Sequence, residues 1–392
     1  MNSSEKEFWK SAVKEELASM ESNKVWKLVE RPKPTANGKK PNIIDAIWVF
    51  KKKVDADGLV KHKARLVGRG YKDKNEYDLR ETYAPVSRLS LIRASLSVIN
   101  KLDLHVCQMD VKTAFLNGKF EDKIFMEIPD GLEVHSETRR TKVCKLEKSI
   151  YGLKKVSLKR WYEKFVKEAQ KLGLTNDMHD PCLFTWRHNG KMVFVVLYVD
   201  DMLIASNDLE KLNEVKIRLS NVFEMKDLGE PKNFLGMTIQ RNRSKREILI
   251  HQADYTERIL EKFNMEGSNP KDTPMETRQV SNRNKRRKSE KFEEKEGQSS
   301  KPVKKVPYRE AIGSLMYLAN ATRPDIAYAV NFLARKQLDP TEEDWNNVQR
   351  VFRSLKGTSK QGLRFISNLE TLEGFTDSSC RDLPGSNLHV DM

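Results

Sequence analysis

The run Met192 to Ser206, MVFVVLYVDDMLIAS, constrains this chain more than any other stretch. Eight uninterrupted apolar residues, Met192 to Val199, lead into the adjacent carboxylates Asp200 and Asp201, and apolar character resumes at Met202, Leu203 and Ile204. The run is too short to cross a membrane and too apolar for a surface loop. It predicts a buried strand, a two-residue turn at the aspartates and a second buried strand. Two like charges on a core hairpin repel in a low dielectric unless a counter-charge is present. A divalent cation is the usual remedy, although an Asp-Asp pair taken alone reads as an ordinary solvated loop.

At 392 residues the chain can hold two or three domains with substantial cores, needing neither disulfides nor a structural metal to fold. Cys107, Cys144, Cys182 and Cys380 are scattered without CxxC spacing, which argues against a zinc site and favours a reducing compartment. The amino terminus, MNSSEKEFWK, has no signal-peptide pattern, and no run approaches the roughly 20 apolar residues of a membrane span. A soluble, intracellular protein is expected. Its 72 Lys and Arg against 56 Asp and Glu leave a formal charge of +16, which suggests a polyanionic partner. A membrane surface would call for a basic amphipathic helix or a lipidation signal, and neither is legible.

Along the chain, Ser4 and Glu7 have capping-box spacing, and Trp9, Val13, Leu17 and Met20 repeat at helical intervals. Strands are predicted at Val25 to Val29 and Ile47 to Val54, the second turning into a basic arm, KHKARLVGRGY, at Lys61 to Tyr71. Leu89, Ile92, Leu96 and Ile99 mark a helix, LHVCQMD a strand ending on Asp110, and Leu153 to Leu172 a helix stopped by Gly173. Helical spacing returns at Leu209 to Val222. The order β, α, β, β, α suggests an α+β layer, an antiparallel sheet backed by helices. Asn282 to Lys305 carries ten Lys or Arg against four Glu and reads as a disordered linker or mobile basic loop. Helices follow at Pro307 to Ala319, from Pro324 onward, and from Trp345 to Gly357, so a small helical domain is expected from about Ile250 to Thr358.

Phosphoryl chemistry with two metal ions, roughly 4 Å apart, needs a third oxygen ligand from a neighbouring strand. Asp110, which also closes an apolar strand, is the candidate; taken alone it reads as a helix N-cap. The segments QMDVKTAFLNG and LYVDDMLIAS resemble the catalytic motifs of copia-type retrotransposon reverse transcriptases. WVFKKKVDADG with KARLVGRGY, ETYAPVSRLS, KSIYGLK, FEMKDLGEPKNFLGMTI, TPME, and YREAIGSLMYLANATRPDIAYAV with LKGT follow in that family's order.

The resemblance implies a right-hand polymerase: fingers and palm over 1–239, a helical thumb over 240–360 with a basic insert at 279–305, and a truncated ribonuclease H-like start at 361–392. Asp110, Asp200 and Asp201, with the Val111 carbonyl, would hold two magnesium ions, manganese serving as a substitute. Phe115 would exclude a ribose 2′ hydroxyl, and Lys63 and Arg65 would neutralise the triphosphate; both bases also read as surface charges on a hairpin. Phe234, Leu235 and Gly236 resemble a turn that grips the primer end, and otherwise an ordinary core strand. Tyr198 either touches the primer or is a buried strand tyrosine. The implied partners are an RNA template, a DNA primer and deoxynucleoside triphosphates, in the cytoplasm, within a virus-like particle, or in the nucleus. Oligomeric state is not legible.

Two departures stand against this pattern. Lys155 occupies the place where the family has a glutamine that contacts the nucleotide sugar, and the spacing to Trp161 is one residue longer. GFTDSSCRD resembles the opening ribonuclease H strand, with Asp377 as its first ligand, but only 15 residues follow it, so that activity is not expected. The leading expectation is RNA-directed DNA polymerase. The alternative is a catalytically decayed relative that binds nucleic acid; a generic basic RNA-binding protein would show no metal dependence.

Overall fold

A computed structural model describes residues 5–34, 41–54, 60–73, 83–112, 114, 124–153, 157–276 and 306–367. Its described residues form two compact units: one runs to Ser95 and resumes at Leu104 to Pro231, the other takes Leu96–Asp103 and everything from Lys232.

In the first unit, helix Lys6–Ser22 buries Ala12, Val13, Leu17 and Met20, the stripe its apolar spacing predicts. Ser4, the first member of the expected capping box, lies outside the described residues. Glu5 is the N-cap residue and makes no side-chain cap bond, while the Glu7 carboxylate accepts from Lys10 at 2.8 Å. Strands β1 (Trp26–Glu30), β2 (Ile43–Ile44), β3 (Ala46–Val54) and β4 (Val60–Gly68) follow. Then come β5 (His105–Val111), β6 (Phe125–Met126) and β7 (Lys142–Leu146). β8 (Thr175–Asn176), β9 (Leu183–His188), β10 (Lys191–Tyr198), β11 (Asp201–Ser206) and β12 (Met225–Gly229) complete the unit. β3 and β4 form a hairpin, and a four-stranded sheet runs β1-β7-β6-β2.

The sheet that carries the aspartate hairpin has six strands in the order β12-β5-β11-β10-β9-β8, and every pairing in it is antiparallel, as the element order predicted. Val193, Val195 and Leu197 of β10 join Met202 and Ile204 of β11 and Cys107, Met109 and Val111 of β5 in one core. Helices Ser157–Lys171 and Leu209–Val222 supply its other half through Trp161, Phe165, Leu212, Val215 and Leu219. Phe194, Val196, Leu203 and Ala205, which alternate to the opposite face, are also buried. Burial on both faces is why β10 reads as an unbroken apolar run and not as an alternating one. The helix predicted from Leu153 is described over Ser157–Lys171 and ends before Gly173, whose φ of +77° gives the left-handed stop.

The second unit is not purely helical. Strands β13 (Asn233–Phe234), β14 (Met237–Asn242), β15 (Glu247–His251) and β16 (Gly362–Ile366) form a four-stranded antiparallel sheet. Helices Ala253–Lys262, Tyr308–Ala321, Ala327–Ala334 and Glu342–Gly357 bury Ile259, Ile312, Leu315, Val330, Phe352 and Leu355 in a single core. Pro324 opens a short 3-10 turn, Pro324–Ile326, ahead of helix Ala327–Ala334. β13 and all of β14 belong to this unit, which resumes at Lys232. β16 pairs with β15, which places 362–366 in this sheet. The strand periodicity of 233–251 was masked because residues of mixed character alternate there across only a few positions. The basic insert at 279–305 and Asp377 lie outside the described residues.

Candidate active site

The hairpin between β10 and β11 fixes the aspartates one residue differently from the sequence expectation. Tyr198 pairs with Asp201, so the two-residue turn is Val199-Asp200, and Asp201 is the first residue of β11. A turn of this length needs positive φ at its first or both central positions to match the twist of the strands. Val199 supplies it at φ +57°, a conformation that strains a β-branched residue.

Contacts from other parts of the unit hold that strained turn. The indole Nε1 of Trp161 donates to the Val199 carbonyl at 2.6 Å, and the Val111 amide donates to the Asp200 carbonyl at 2.8 Å. Trp161 is only 1% exposed and is wedged edge-on against Phe223, their ring centroids 5.0 Å apart. Both carbonyls of the turn therefore have a donor, and neither can rotate freely.

Asp201 pairs directly with Asp110 across β11 and β5. Directly opposed residues of an antiparallel pair project from the same face, their Cβ atoms roughly 5 Å apart. Tyr198 and Gln108 share that face by the same alternation, the one turned away from Trp161 and Phe165. The Gln108 amide donates to Asp201 Oδ1 at 3.3 Å, and Lys226 of β12 pairs with Asp110 from its other side. Asp110, Asp200, Asp201 and Tyr198 are all half-buried, open enough for a ligand to reach.

Among the described residues no group of three or more His, Cys, Asp or Glu is placed to hold a metal ion. What the structure brings together is the facing pair Asp110 and Asp201, with Asp200 on the adjoining turn. The N-cap reading of Asp110 is not met, since it lies inside β5. Hard carboxylate oxygens on two strands suit a hard divalent cation. Magnesium in particular is commonly bound by one or two carboxylates plus substrate phosphates instead of by a closed protein cage.

Lys63 and Arg65 lie two residues apart on β4, opposite Lys51 and Val49 of β3, and are half-buried. They alternate with buried Ala64 and Leu66, and Ala64 packs with Ala12, Val13 and Leu17 of helix Lys6–Ser22, so the two bases project from the other face. The Arg65 guanidinium stacks 4.7 Å above the Tyr151 ring, which fixes its plane. Phe115 and Lys155 lie outside the described residues.

In the second unit, Phe234 pairs with Met237 and is fully buried, so Leu235-Gly236 is a two-residue turn with φ of +49° and +74°. The strand reading of 234–236 thus holds for Phe234 alone. Sequence reasoning missed Gln108, Lys226 and the Trp161 clamp. Gln108 was in principle legible, being two residues before Asp110 on the same strand, whereas Lys226 and the clamp depend on which segments pair.

Residues 23–277 match the family described as reverse transcriptase (RNA-dependent DNA polymerase), and the chain belongs to that family. Over 369 residues, 94% of its length, it is 40% identical to the retrovirus-related Pol polyprotein from transposon TNT 1-94 of Nicotiana tabacum, covering 27% of that protein. Its identity to the Pol polyprotein from transposon RE2 of Arabidopsis thaliana is 34% over 365 residues, 93% of this chain and 23% of that one. The copia-type resemblance read from the motifs is borne out. The chain spans about a quarter of the length of these curated relatives. Among solved structures, apo telomerase from Candida tropicalis, truncated from its C-terminal domain, aligns at a TM-score of 0.30 and 10% identity over 60% of this chain and 58% of that one.

Proposed function

We propose that the chain is the polymerase portion of a retrotransposon Pol protein and extends a DNA primer on an RNA template with deoxynucleoside triphosphates. The observation that carries this reading is the facing pair Asp110 and Asp201 beside the doubly held Val199-Asp200 turn. In this reading the described part of the first unit serves as fingers and palm and the second as thumb.

Asp110, Asp200 and Asp201, with the Val111 carbonyl, would hold divalent cations, magnesium or manganese, which when bound lower the pKa of a hydroxyl and offset charge on a triphosphate. The chain's own residues then have distinct tasks. Gln108 orients the Asp201 carboxylate by the hydrogen bond that its side-chain amide N–H donates. Trp161 and Val111 keep the turn, and hence Asp200, at a fixed height above β5. Tyr198, on the same face as Asp201, stands where a primer terminus would lie against it. Lys63 and Arg65 meet the triphosphate, Arg65 already oriented by Tyr151. Phe115 selects against ribose, and the turn Phe234 to Gly236 holds the primer strand through its accessible residues Leu235 and Gly236, with buried Phe234 anchoring it in the core. The excess of basic residues, +16 overall, gives a sequence-independent attraction to a duplex.

Primer extension on an RNA template tests the reading. Wild type is expected to extend in magnesium or manganese, and Asp200→Asn to bind the duplex without extending it. Salt-dependent duplex binding by wild type with no product in either metal would sink it and select the decayed, binding-only alternative.

A further inference from the structure

The turn Leu235-Gly236 is built on the same plan as Val199-Asp200. Each is a two-residue hairpin turn whose first central residue is aliphatic and held at positive φ, +57° for Val199 and +49° for Leu235. Each has the carbonyl of that residue capped by an aromatic side chain from a distant helix. Trp161 Nε1 donates to Val199 at 2.6 Å, and the Tyr317 hydroxyl donates to Leu235 at 2.7 Å. Positive φ at a non-glycine residue costs roughly 1–2 kcal/mol and persists only where surrounding contacts over-determine it.

Tyr317 is itself held. It lies in helix Tyr308–Ala321, and Tyr255 of helix Ala253–Lys262 stands edge-on against its ring at 4.9 Å. The Tyr255 hydroxyl in turn donates to the Ser314 carbonyl at 3.4 Å, tying both rings to one helix. The fit leaves no room at the turn: a Cβ on Gly236 would stand 2.8 Å from the Tyr317 hydroxyl oxygen, and Gly236 has φ of +74°. Glycine there meets both the backbone conformation and the close approach of the phenol.

We infer that Tyr317 is a positioning residue: its hydroxyl sets the Leu235-Gly236 turn in the conformation that receives the primer strand. The inference rests on the proposed polymerase reading. A hydroxyl from a core helix reaching out to a surface turn links the packing of the second unit to the exact height of that turn. Loss of the hydroxyl frees the Leu235 carbonyl, lets the backbone relax from positive φ, and lowers the fraction of molecules in the receiving conformation.

The test is steady-state extension of a DNA primer on an RNA template by the full chain, wild type against Tyr317→Phe. Removal of one neutral hydrogen bond is expected to raise KM for primer–template by roughly three- to tenfold. KM for the nucleotide is expected to stay at its wild-type value, and the melting temperature to fall by a few degrees at most, as the loss of one hydrogen bond allows. A role confined to packing would lower the melting temperature and leave KM for primer–template alone, and an unmoved KM overturns the inference. Gly236→Ala supplies a second measurement, since its methyl clashes with the hydroxyl that Tyr317→Phe removes. It is expected to raise KM less in the Tyr317→Phe background than in wild type, and strict additivity counts against a shared contact. If wild type itself fails to extend, the polymerase reading falls and takes this inference with it. Extension by wild type with an unmoved KM in Tyr317→Phe overturns the inference alone.

Discussion

Trp161→Phe isolates what the clamp on the Val199-Asp200 turn contributes. The substitution keeps an aromatic ring against Phe223 but removes the donor that reaches the Val199 carbonyl at 2.6 Å. A half-buried acceptor left without its donor costs up to about 1–3 kcal/mol, and the lost ring atoms of a side chain only 1% exposed add about 1 kcal/mol. Relaxation of Val199 from φ +57° returns part of this, roughly 1–2 kcal/mol. The net loss expected is about 2 kcal/mol, which for a unit of this size lowers the melting temperature by roughly 4–8 °C. The effect on chemistry is expected to be larger than that on stability. A carboxylate displaced by about 1 Å costs on the order of 100-fold in rate, and a relaxed turn moves Asp200 directly. Phe165→Leu is the control: Phe165 is fully buried, with its ring 5.9 Å from that of Trp161, but it makes no bond to the turn. Thermal unfolding and single-nucleotide incorporation are measured on both variants. Should Trp161→Phe lose no more incorporation rate than Phe165→Leu at equal loss of stability, the indole is only filling space and the clamp has no functional meaning.

Two further outcomes follow from the same geometry. Asp110 and Asp201 face one another across adjacent strands, and like charges in that arrangement destabilise by roughly 0.2–1 kcal/mol. Asp110→Asn is therefore expected to melt slightly above wild type in chelator, while added magnesium or manganese stabilises wild type and not the variant; equal stabilisation of both would place the cation elsewhere. Burial of Glu16 raises its carboxyl pKa, against the pull of the Leu66 amide, Lys63 and Arg65. A folded-state pKa above the unfolded one means the folded chain binds the proton more tightly. This contribution is fully present below the ordinary glutamate range and is lost as pH rises through the raised value. Urea unfolding of wild type and Glu16→Gln between pH 4 and 8 should accordingly show wild type losing ground to the variant as pH rises, and a constant gap would refute the assignment.

Much of the architecture was legible because it is periodic. The apolar stripe of helix Lys6–Ser22, the double-sided burial of β10 and the helices around Leu315 and Phe352 all leave a repeat of about two or 3.6 residues in the chain, and the structure has them near the expected bounds. The second unit's sheet was not legible, because β13 is two residues long and β16 finds its partner β15 more than a hundred residues earlier in the chain.

The candidate site divides along the same line. The sequence alone determined that two carboxylates interrupt a buried hairpin, that another closes an apolar strand, and that the chain carries a strong positive excess. The tertiary structure decided that the turn is Val199-Asp200, that Asp201 and not Asp200 faces Asp110, and that Trp161 and Tyr317, 38 and 82 residues from the carbonyls they cap, hold two strained turns. The reason is physical. Burial patterns are local and repeat every few residues, so they are written along the chain, whereas register and hydrogen bonding between remote segments are set by which faces meet when the sheet closes.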